Sequence, residues 1–96
     1  MIHGMNIPTT TELIDLLGGT TAVALFLGVK PPSVSEWKAK GEIPADKRVL
    51  IAPRVQKISG GRYRLWDVCP DTWHMVWPEL IGQPGAPAVP SEARAA

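Results

Sequence analysis

The sequence is 96 residues long, 45% hydrophobic and 20% charged, which fits one small globular domain with a limited core that oligomerisation would help to stabilise. A single cysteine, Cys69, excludes an internal disulfide and a cysteine-based zinc site, and no apolar run approaches a membrane-spanning length. With no basic-apolar-small leader, the expectation is a soluble, cytoplasmic protein without a membrane segment.

The net charge of +1 conceals a division. Residues 30–64 hold nine basic against three acidic residues, a balance of +6, whereas the rest holds Arg94 against six acids, a balance of −5. Concentrated positive charge suits a surface that meets phosphates.

In chain order, residues 1–8, with His3 and Asn6, have no periodic pattern and read as an arm. Thr9 and Glu12 have capping-box spacing ahead of an apolar face formed by Leu13, Ile14, Leu16 and Leu17, and Gly18-Gly19 ends that first helix. Thr20 or Thr21 should cap a second helix whose apolar face is Val23, Ala24 and Leu27. Free N–H groups at its start are candidates for phosphate contact.

Gly28 supplies a left-handed turn, and Val34 and Trp37, three apart, give the apolar face of a third helix that begins at Pro31 or Pro32 and ends near Lys40-Gly41. Small Ala24, Gly28 four later, Val34 six beyond and Trp37 three further together specify a helix-turn-helix. The outer face of the third helix then carries Pro31, Pro32, Ser33, Ser35 and Glu36 toward bases. Serine pairs with several base edges, glutamate accepts from a cytosine amino group, and proline offers only apolar contact. Lacking Arg, Gln or Asn for a bidentate contact, this face needs help from DNA shape or from basic groups elsewhere. Glu36 has an alternative role as the i,i+4 salt-bridge partner of Lys40. The phosphate-facing set is Thr20, Thr21, Lys30, Lys38, Lys40, Lys47 and Arg48.

A fourth helix opens at Ile43-Pro44-Ala45-Asp46 and presents Val49, Leu50, Ile51, Val55 and Ile58, with a kink or break expected near Val49 to Ala52 because Pro53 is interior. Residues 62–66 alternate as a short strand would, and Asp71 is placed to cap a helical turn with Trp73, Val76, Trp77 and Leu80 on one stripe. Trp66, Trp73 and Trp77 crowd into twelve residues, more rings than a small core needs, so Trp66, Trp73, Trp77 and Leu80 form the expected dimer surface. Residues 82–96 are Gly, Pro and Ala without periodicity and read as a flexible tail, so the folded domain is 9–81.

His3 and His74 lie far apart without a ligand cluster, Cys69 beside Pro70 reads as a small buried residue, and no nucleophile has an activating base. No metal, cofactor or enzymatic activity is expected.

Leu16-Leu17-Gly18-Gly19, Leu27-Gly28-Val29, Val34-Ser35-Glu36-Trp37 and Gly41-Glu42-Ile43-Pro44, with the later Gly60-Gly61 and Cys69-Pro70-Asp71, resemble the Cro/repressor-like helix-turn-helix proteins of phages and prophages, in particular the YdaS/Cro-type subgroup. The resemblance covers roughly residues 12 to 78. It departs at Lys30, where that group usually has a Ser or Thr cap, and at Pro31-Pro32, where Gln or Ser and a small polar residue usually begin base reading. It implies an all-α fold of four or five short helices, with room for a C-terminal extended segment. It also implies a sequence-specific regulator that binds double-stranded DNA as a homodimer on a palindromic operator. Two other readings stay open: an antitoxin-type autoregulator, for which the sequence names no toxin partner, and a protein-interaction module built on a helix-turn-helix scaffold.

Overall fold

The computed structural model describes residues 7–89; His3, Asn6 and Arg94, with the rest of 1–6 and 90–96, lie outside the described residues. The described residues form six α-helices and one 3-10 turn with no strand: α1 Thr10–Leu16, α2 Thr20–Leu27, α3 Pro31–Lys40, α4 Ala45–Ile58, α5 Leu65–Val68, α6 Trp73–Val76, then Pro78–Leu80. None of these helices is long and apolar enough to cross a membrane by itself.

α1 starts as its capping box dictates. Glu12 N donates to Thr9 Oγ1 at 3.1 Å and Thr9 N donates to Glu12 Oε1 at 2.8 Å, which satisfies two amides at the helix start. Leu13 and Ile14 are fully buried, and Gly18 and Gly19, at φ 104° and 103°, reverse the chain in a conformation that side chains disfavour. The core continues through Val23, Ala24, Val34, Ile51, Ala52 and Val55, so α1 to α4 close around one another.

α4 runs unbroken through Pro53, contrary to the expected break. The proline costs about 3 kcal/mol in a helix interior. It faces solvent, while Ile51 and Val55 on the opposite side are completely buried at about 1.5–3 kcal/mol each, enough to keep the helix unbroken through the defect.

The expected strand at 62–66 is absent, because side chains turn that segment into a helix start. Leu65 N donates to Gln56 Oε1 at 3.0 Å, and Arg64 N donates to Asp67 Oδ2 at 2.8 Å. Tyr63 and Trp66 are both buried, which helical spacing allows and strand alternation does not. Asp71 is exposed and caps nothing: α6 begins after Thr72, with no side-chain cap. The stripe proposed for α6 is also broken, since Val76 is exposed. Folded turns continue beyond Ile81, where Gln83 N and Ala86 N donate to Leu80 O and Gln83 O and Ala86 packs on the core.

Candidate nucleic-acid interface

α2 and α3 form the most extensive helix pairing of the described chain. Gly28 ends α2 in the left-handed region at φ 71°, and its N–H returns to Ala24 O. Val29 N also donates to Ala24 O, at 3.0 Å, so the turn is pinned on the residue whose small side chain, almost completely buried, permits close crossing. Val34 is fully buried and Trp37 is half-buried, which fixes the rotation of α3. The helix-turn-helix expected from the spacing is therefore formed, with α3 in the recognition position.

Pro31, Pro32, Ser35 and Glu36 are exposed on α3, whereas Ser33 is half-buried. The start of α3 has little to offer a phosphate: two prolines carry no N–H, Ser33 N donates to Lys30 O at 2.9 Å, and Lys30 is exposed. α2 is the better amide donor. Its cap is Gly19 rather than either threonine, Thr20 and Thr21 lie in its first turn, and no side chain caps it.

Three of the four lysines of the phosphate set lie near a carboxylate. Lys40 Nζ lies 3.1 Å from Glu36, Lys38 Nζ 3.9 Å from Asp15, and Lys47 Nζ 3.7 Å from Asp46. These side chains are substantially solvated, and such surface pairs contribute about 0–1 kcal/mol, so exchange for a phosphate partner is cheap. Arg48 is different: half-buried, it donates from Nη1 to Val68 O at 3.3 Å and ties α4 to α5. Its guanidinium helps line a cleft of about 160 Å³ with Glu42, Cys69, Asp71 and Thr72. Burial pushes the Cys69 thiol up to about 11, with Arg48 and a Thr72 hydrogen bond opposing, so the thiol stays protonated at neutral pH. Among the described residues no three His, Cys, Asp or Glu side chains converge as a metal site would require.

The tryptophan surface requires correction. Trp73 is fully buried and Trp66 nearly so, with ring centroids 5.9 Å apart and edge-to-face, inside the core of the single chain. They are not available to a second subunit. Trp77 and Leu80 are half-buried against that core. The rings are needed because α5 and α6 are only four residues each, and Val68 is the one aliphatic side chain they bury completely. One contact escaped the sequence reading altogether: the Arg54 guanidinium lies 5.1 Å from the centroid of Phe26, linking α4 to α2.

A profile of the family described as "Bacterial toxin YdaS" matches residues 11–76, from α1 to the end of α6. The chain belongs to this YdaS family. It is 33% identical over 57 residues, 58% of this chain and 54% of the relative, to the "Putative transcriptional regulator YdaS" of Escherichia coli (strain K12). The chain thus spans about half the length of this curated relative. No solved structure matches the chain. The matched YdaS region contains the whole helix-turn-helix and the α5–α6 cap.

Proposed function

We propose that this chain is a sequence-specific, double-stranded DNA-binding transcriptional regulator, Cro-like in its use of α3, with two copies acting on one operator and no enzymatic activity. The observation that carries the reading is the pinned α2–α3 turn, which leaves Ser35, Glu36 and the two prolines outward while Lys38, Lys40 and Lys47 are exposed or half-exposed around it. The regulator title of the relative from E. coli supports it. Serine and glutamate read base edges, the lysines set the register on the backbone, and the first turn of α2 adds amide donors.

Selection of bound sites from random duplex DNA tests this. One enriched motif is expected, changed at one or two base pairs per half-site by Ser35→Ala or Glu36→Ala; no enrichment would overturn the proposal. The family description favours a second reading, in which the chain harms the cell that makes it. A variant that loses DNA binding yet keeps that toxicity would establish an activity separate from regulation.

A further inference from the structure

Two faces of the chain are apolar, exposed and opposite in charge. The first lies on α2 and α4. Leu50 is 55% exposed, Phe26 45% and Ile58 44%. Leu50 and Ile58 fall one turn before and one turn after Arg54, whose guanidinium covers Phe26, so the stack sits at the centre of the strip. Lys57 is exposed beside it. α2 contains no charged residue, and residues 47–64 contain six basic residues and no acid.

The second face is formed by α6 and the 3-10 turn, which pack on each other. Met75 is exposed to 65%, and Val76 and Ile81 are exposed as well. Glu79 is its exposed charge, and residues 65–89 contain no Lys or Arg. Exposed leucine, phenylalanine and methionine clustered in this way mark contact surfaces.

We propose that copies of this chain associate head to tail, the Met75–Ile81 face of one copy covering the Leu50–Arg54 face of the next. Charge decides the occupant. A two-fold pairing of the α2–α4 face with itself would set Arg54 and Lys57 against their own kind, and a two-fold pairing of the other face would do the same with Glu79. The heterologous pairing brings Glu79 to the basic strip while both apolar surfaces leave water. Neither face includes the α3 residues assigned to bases, although Lys47 of the phosphate set lies one turn before Leu50 on α4. Taken together with the DNA reading, on which this consequence alone rests, the contact orients successive half-sites in the same sense rather than as a palindrome.

Sedimentation of the full chain without DNA tests the contact. The parent is expected to grow beyond one chain mass with concentration and to shrink back as salt is raised. Leu50→Glu and Met75→Lys, each setting a charge against its own kind on the partner face, each remove one face and should each remain at one chain mass. Mixed in equal amounts they should form a pair and stop there, because one intact face of each kind remains. Ile58→Glu, one turn beyond Arg54 on the same strip, should behave as Leu50→Glu does, and circular dichroism of each variant should match the parent. A parent that stays at one chain mass up to millimolar concentration, single variants that associate as the parent does, or a mixture that fails to pair would each overturn the proposal.

Discussion

Trp73→Ala separates a core ring from an interface ring. Trp73 is completely buried within one chain and meets Trp66 edge-on at 5.9 Å. Truncating such a side chain costs about 3–5 kcal/mol through lost burial and the cavity left behind. A 96-residue domain has roughly 5–14 kcal/mol in total at about 0.05–0.15 kcal/mol per residue, so the variant loses a large fraction of its stability. Trp77 is only half-buried, and Trp77→Ala should cost about half as much. Trp73→Phe adds a finer test. Trp73 Nε1 has no hydrogen-bond partner among the described residues, so phenylalanine loses ring volume but relieves a buried donor whose desolvation costs about 1–3 kcal/mol. It should be far milder than alanine. Urea unfolding followed by circular dichroism gives the three midpoints, expected in the order parent or Trp73→Phe, then Trp77→Ala, then Trp73→Ala. A Trp73→Ala chain that unfolds with the parent midpoint yet no longer self-associates would refute the assignment of this ring to the monomer core.

Thr9→Ala removes the hydroxyl half of the capping box, leaving the residue-9 backbone N–H free to donate to Glu12, and should cost about 0.5–2 kcal/mol in urea unfolding, whereas Thr11→Ala at the next exposed threonine should cost less. Burial favours the neutral form of Cys69, so its contribution to stability, roughly 2–3 kcal/mol, is complete below pH 9 and is lost as pH rises toward about 11; that loss should be absent from the alkaline unfolding curve of Cys69→Ala. Glu36→Gln removes a carboxylate from the α3 face and releases Lys40, so affinity for arbitrary duplexes should rise while preference at one or two base pairs is lost, both read by fluorescence anisotropy.

The helix-turn-helix was legible because its determinants are local. Gly28 must take the left-handed turn, Ala24 must be small, and Val34 and Trp37 must share a face; no distant residue is needed to see this. The capping box at Thr9 and the ion pair between Glu36 and Lys40 were readable for the same reason, since each lies within one helical turn. The segment after Gly61 was not. Its path depends on Gln56, nine residues back, accepting from Leu65 N, and on Arg48, twenty residues back, donating to Val68 O. Alternating side chains at 62–66 mimic a strand when those partners are unseen. The tryptophans misled through composition, since short α5 and α6 use large rings where longer helices would use several aliphatic side chains. Phe26 and Arg54 lie on different helices, so neither periodicity nor spacing announces their stack.

The central claim, that the basic groups around α3 meet DNA phosphates, is tested most directly by affinity for duplex DNA as a function of salt. Log affinity should fall linearly with log salt by about 0.9 per phosphate contact. Lys38→Ala should lower that slope by about one and weaken all sequences alike, because its pairing with Asp15 is long and solvated and leaves the lysine available. A salt-independent affinity, or no binding above background to any duplex, would contradict the claim.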